Sequence, residues 1–331
     1  MRLRRRRAVL AAGAAVGTAA LAVVGILRIV DDAPNATRPE SRVAGPVEAD
    51  NGAVAFLRVD GREMTKEGVI PSADIFVSER GRTTLRVSGA LYRGAFAWSP
   101  DGTRLAYFGA RGLYVTGERA RPQNVAPCKP PECLGGGDPA WSPSGDRIAF
   151  GRSSEGGDGL WVLDLESRDL VPMAEDLLFT GAPSWSLDGR SITVLVPRSE
   201  GQAHDVVEID VSSGEPTRVA TMRGIDVSDT VSWAPDRESF AFDSRNGPRP
   251  GLYVFGIGSG VERLPVPCPS KTCADIMPSW SPDGEEITFT RAQCELPGSD
   301  CFSGDIMSYE LASEEVTRVT RGRALDCCAS T

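Results

Sequence analysis

Histidine is almost missing from this sequence: the 331 residues include one, His204. Any site built on two or more imidazoles, such as a three-histidine zinc centre, is therefore excluded. No Gly-x-Ser-x-Gly element occurs, which removes the nucleophile elbow of the α/β-hydrolases. A sustained 3.6-residue apolar period is absent after the first thirty residues, which argues against a helical or α/β body. Basic charge is short as well. Six of the 36 basic residues are arginines in residues 1–30, a stretch without an acid, so residues 31–331 carry 30 basic against 45 acidic groups. A body at −15 is repelled by phosphate backbones, and no nucleic-acid partner is expected.

What the chain does have is 41% apolar residues with 36 Gly and 24 Pro, the composition of a folded, turn-rich protein. It opens on Arg2 and Arg4–Arg7, followed by twenty uncharged residues from Ala8 to Leu27. As a helix that run spans roughly 30 Å, the thickness of a bilayer core. Arginines before it and Asp31-Asp32 after it orient the body out of the cytoplasm. The run exceeds the usual apolar core of a cleaved signal, and only Ala33 and Ala36 offer weak cleavage positions. Residues 1–30 are therefore read as a basic N-terminus with a single-pass anchor, the alternative being a signal removed on secretion. Arg6-Arg7 before an Ala/Gly-rich stretch also fits a twin-arginine export signal, and the route stays open. Residues 31–50, with Pro34, Pro39 and Pro46 among charges, read as a linker.

Residues 51–331 contain an internal repeat. Ala97-Trp98-Ser99-Pro100-Asp101-Gly102 recurs as Ala140-Trp141-Ser142-Pro143-Ser144-Gly145, Ser184-Trp185-Ser186-Leu187-Asp188-Gly189, Ser232-Trp233-Ala234-Pro235-Asp236-Arg237 and Ser279-Trp280-Ser281-Pro282-Asp283-Gly284. The tryptophans lie 43, 44, 48 and 47 residues apart. Ser-Pro-Asp-Gly suits a type I turn, and short strands such as Leu105–Phe108, Ile148–Phe150 and Ile287–Phe289 follow it. Four short strands per 40–50 residues describe a propeller blade. Upstream of Trp98 only three strand patterns occur, Gly52–Phe56, Asp74–Val77 and Thr84–Val87. Asp326-Cys327-Cys328 aligns with Asp275-Ile276-Met277, so the C-terminus is expected to supply the missing inner strand and close a six-bladed, all-β ring.

The repeat resembles the TolB-type β-propeller family, the WD-like group with a Trp-Ser-Pro-Asp-Gly signature, over about residues 92–331. The signature residues Trp98, Trp141, Trp185, Trp233 and Trp280 carry the likeness, with Leu187 replacing Pro and Arg237 replacing Gly as single departures. The resemblance implies a propeller that binds proteins or peptides of the cell envelope.

An even count of eight cysteines outside the cytoplasm suggests disulfides. Local pairs Cys128–Cys133, Cys268–Cys273 and Cys294–Cys301 are expected. The first two pairs sit three blades apart, which argues against a shared zinc site. Cys327 and Cys328 are either a vicinal disulfide or two thiols on opposite faces of a strand.

In an up-and-down blade the first and third turns share one end of the disc, here short and regular. The middle loops and the inter-blade connections share the other end and hold the cysteines and the long 291–304 stretch, so binding is expected there. Acids at the inner-strand entrances, Asp138, Asp229, Asp275 and Asp326, with Arg93, are the candidate binding residues at the channel mouth. They would favour a basic segment of a partner. His204 reads as a surface loop residue, and the Ser-Pro-Asp-Gly acids as turn formers. No catalytic set, metal or cofactor is expected. The leading reading is a membrane-anchored scaffold outside the cytoplasm. The alternative is a secreted propeller enzyme or carbohydrate-binding protein acting on envelope polymers.

Overall fold

The computed structural model describes residues 53–59, 72–79, 82–91, 96–109, 111–117, 120–128, 138–154, 157–198, 202–228, 230–244, 250–269, 273–293, 304–320 and 325–330. The segments expected in residues 1–50, the anchor Ala8–Leu27 and the linker, lie outside them. Among the described residues there is no helix, and none long and apolar enough to cross a membrane.

The strands fall into six antiparallel blades. Blade 2 holds β4 (Phe96–Trp98), β5 (Arg104–Gly109), β6 (Gly112–Gly117) and β7 (Gln123–Pro127). Blade 3 holds β8 (Ala140–Trp141), β9 (Arg147–Ser154), β10 (Gly157–Asp164) and β11 (Leu170–Ala174). Blade 4 holds β12 (Thr180–Trp185), β13 (Ser191–Pro197), β14 (Ala203–Asp210) and β15 (Pro216–Arg223). Blade 5 holds β16 (Val231–Trp233), β17 (Ser239–Ser244), β18 (Gly251–Gly256) and β19 (Gly260–Arg263). Blade 6 holds β20 (Cys273–Trp280), β21 (Glu286–Gln293), β22 (Gly304–Glu310) and β23 (Val316–Arg318).

Blade 1 is made from both ends of the described chain. β1 (Ala53–Val59), β2 (Ser72–Glu79) and β3 (Arg82–Leu91) are joined by β24 (Leu325–Ser330), which pairs with β1 through Ala55↔Ser330, Leu57↔Cys327, Arg58↔Asp326 and Val59↔Leu325. The expected closure by the C-terminal strand is therefore present. It satisfies the inner edge of β1, which would otherwise display open backbone groups.

Blades are covered on both faces by their neighbours, which explains the continuous apolar runs in the second strands. Ala106, Phe108 and Leu113 of blade 2 pack with Trp141, Ile148 and Phe150 of blade 3. Leu195, Val206 and Met222 of blade 4 pack with Trp233, Phe240, Phe242 and Phe255 of blade 5. The signature tryptophans also bond between blades: the Trp141 Nε1–H donates to the Ala97 carbonyl at 3.1 Å and the Trp185 Nε1–H to the Ala140 carbonyl at 3.0 Å. Arg104 stacks 4.6 Å over the Trp141 ring and donates to the Gly145 carbonyl at 2.9 Å; Arg147 repeats this over Trp185.

The Ser-Pro-Asp-Gly segments form the expected turns. The Gly102 amide donates to the Ser99 carbonyl, the Ser99 hydroxyl donates to Asp101, and Gly102 has φ of 66°. Arg237 takes the same left-handed conformation without being glycine, φ 61°, and its guanidinium donates to the Ser184 hydroxyl of blade 4 at 3.0 Å. This side chain gives the strained position a cross-blade bond that glycine lacks.

The outer turns lie at the same end as these inner ones. Amides of Leu165, Val211, Ile257 and Leu311 donate to the carbonyls of Asp146, Arg190, Glu238 and Glu285. That end is the turn face. Opposite lies the loop face, with the strand connections 60–71, 128–139, 264–272 and 294–303.

Candidate functional site

On the loop face the second strands end in a repeated pattern, Phe-x-Arg: Phe56-Leu57-Arg58 in β1, Phe150-Gly151-Arg152 in β9 and Phe289-Thr290-Arg291 in β21. Blade 6 shows what the arginine does. Arg291 in β21 donates twice to Asp275 of the inner strand β20, Nε to Oδ1 at 2.7 Å and NH2 to Oδ2 at 2.9 Å. Both side chains are largely out of solvent, Asp275 at 3% and Arg291 at 15% exposure. Arg291 also lies over the Phe289 ring. Burial pushes the Asp275 carboxyl above the usual carboxylate range, and the Arg291 bonds only partly oppose this. In the sheet register Arg291 faces Asp305 of β22, and Asp305 forms an ion pair with Arg318 of β23. Acid and base therefore alternate from the channel strand to the rim of the blade.

The backbone of blade 1 repeats this row. Arg58 pairs in register with Asp326 on one side and Asp74 on the other, as Arg291 pairs with Asp275 and Asp305. Blade 4 holds a related acid, Asp205, at the third-strand position. It is buried, takes the Thr221 hydroxyl at 2.7 Å and pairs with Arg198 at 3.3 Å.

Of the five candidate binding residues, Asp275 is thus one half of a buried pair, and Asp138 lies half-buried just before β8. Asp326 is placed by its backbone beside Arg58 in β24. Arg93 and Asp229 lie outside the described residues, so the five are not seen together. The basic and outer members, Arg291, Asp305, Arg318 and Asp205, were not among the sequence candidates. The Phe-x-Arg repeat is the signal that points to Arg291, and through the sheet register to Asp305.

Cys268 and Cys273 are joined by a disulfide with Cα atoms 5.7 Å apart, in the connection that leads into β20. Cys128 is also disulfide-bonded. Cys133, Cys294 and Cys301 lie outside the described residues, while Cys327 and Cys328 are placed only by the backbone of β24.

One expectation is corrected. His204 is not a surface loop residue: it stands in β14, paired in register with Pro197 and Met222, and is 7% exposed. Its Nδ1 is buried without a hydrogen-bond partner. Burial lowers its pKa, while Asp226 and Asp205 pull it upward. β14 is buried on both faces from Ala203 to Val207, which a single polar residue beside a loop could not announce.

A family model described as the TolB beta propeller domain matches residues 137–327. The Tol-Pal system protein TolB of Francisella tularensis is 25% identical over 186 residues, 56% of this chain and 41% of that protein. A TolB homolog of Chlorobium luteolum is 30% identical over 125 residues, 38% of this chain and 27% of that protein. The chain therefore spans less than half the length of these two relatives. The crystal structure of TolB from Acinetobacter baumannii superposes with a TM-score of 0.63 at 16% identity, covering 84% of this chain and 66% of that one. A TolB-like structure from Agrobacterium tumefaciens gives 0.57 at 20% identity, covering 81% and 88%. At these identities the structures speak for the fold alone.

Proposed function

The chain belongs to the TolB β-propeller family, and from that membership we propose a binding scaffold, held at the membrane by Ala8–Leu27 and exposed outside the cytoplasm, that takes a protein or peptide of the cell envelope on its loop face. One observation carries this reading: the two ends of the disc are unequal. Connections at the turn face are short and locked by their own hydrogen bonds, whereas those at the loop face run as long as residues 60–71 and 128–139. Long loops on a rigid frame are where proteins shape contacts for a ligand. Disulfides at Cys128 and at Cys268–Cys273 tie down two of them, which lowers the entropy lost on binding. The excess of acid in residues 31–331 favours a basic segment in the partner.

The Francisella tularensis relative is a Tol-Pal system protein, which makes an envelope protein the first candidate. Catalysis is not part of the proposal. The test is affinity capture by the purified full chain from envelope extract, followed by a binding titration of the captured protein in rising salt. A partner whose affinity falls tenfold or more between about 50 and 500 mM salt supports the reading. Turnover of an envelope polymer by the purified chain contradicts it and favours the enzyme alternative.

A further inference from the structure

β1 begins at Ala53, which pairs with Glu79, and Glu79 pairs with Arg82 across the β2–β3 turn. That turn is an outer turn of blade 1, so the chain enters the propeller at the turn face. β24 ends at Ser330 beside Ala55, at the same end. We propose that the propeller hangs from the membrane by its turn face, so that its loop face points away toward the partner. This rests on the anchor reading above.

Charge reinforces the arrangement. The turn face carries Asp101, Asp146, Asp164, Asp188, Asp210, Asp236 and Asp283 around its rim. Serine hydroxyls bond Asp101, Asp146 and Asp188, and the Ser167 amide and Ser212 hydroxyl bond Asp164 and Asp210. These bonds hold all five below the usual carboxylate range. Arg147 and Arg190 pair with Asp146 and Asp188 in the same turns, and the carboxylates left over are repelled by anionic lipid. The repulsion acts over a Debye length of about 8 Å at physiological salt, and the sequence places 25 residues between Leu27 at the end of the anchor and Ala53 at the start of β1. The tether therefore sets which face is near, and the carboxylates keep that face from adhering.

Two sites test this in the full chain reconstituted in vesicles containing anionic lipid. Ala312 is exposed in the β22–β23 turn of the turn face; Glu175 is exposed in the β11–β12 connection of the loop face. A strand of eight residues separates the ends by about 25 Å. An azide-bearing amino acid at either position, coupled to a donor dye, reports energy transfer to acceptor-labelled lipid. Transfer from position 312 at least twofold above that from position 175, rising further in 0.5 M salt, is the expected result. Equal or reversed efficiencies in protein that floats with the vesicles overturn the orientation while leaving the anchor intact. Protein that fails to float with the vesicles overturns the anchor reading, and this inference with it.

Discussion

Asp275 and Arg291 show how burial and pairing oppose each other at one residue. The bidentate geometry is good, yet the raised carboxyl pKa says that desolvation outweighs the attraction. A raised folded pKa means this group favours folding below its unfolded pKa and loses that contribution as pH rises through the folded value. Asp275→Leu, which removes the acceptor altogether, should destabilise the protein by about 3–5 kcal/mol in urea unfolding, because Arg291 is left buried without its partner. Asp275→Leu with Arg291→Met should recover most of that loss. His204 works in the opposite sense: its folded pKa lies below the unfolded one, so the unfolded state takes up the proton first. Stability should fall as pH drops below about 6.5, by at most about 1.4 kcal/mol per unit. In His204→Phe, melting curves between pH 7.5 and 5 should lose that component; an unchanged pH slope would show that His204 does not supply it.

At the scale of elements, the Ser-Pro-Asp-Gly turn and its tryptophan were readable because each residue type answers a local demand. Serine and aspartate bond the turn backbone, glycine accepts a positive φ, and proline presets the turn. The partners of Arg104 and Arg147 were not readable, because they lie 41 and 42 residues away in the next blade. The same holds for Arg291, whose acids come from β20 and β22. Only strand register brings such groups together, and register is set by the whole sheet. Arg104→Met keeps the aliphatic stem over Trp141 but removes the stacking charge and the bond to Gly145. It should lower stability by about 1–2 kcal/mol, measured by chemical denaturation.

Across the molecule, ring closure depends on six residues at the C-terminal end, β24, pairing with a strand that starts at residue 53. The closure was legible because Asp326 repeats Asp275 in the alignment of inner strands. The structure pairs both acids with the arginine of a Phe-x-Arg segment. Removing residues 325–331 should expose the inner edge of β1 and reduce the melting temperature by at least 5 °C, against a full-length control in the same buffer.

The central claim is that partners meet the loop face. A photo-crosslinking amino acid at Glu175, and separately at Ala312, in the full chain expressed in its own host, tests it most directly. Irradiation should yield a defined adduct with an envelope protein from position 175 and none from position 312. The same adduct from position 312 alone would contradict the account.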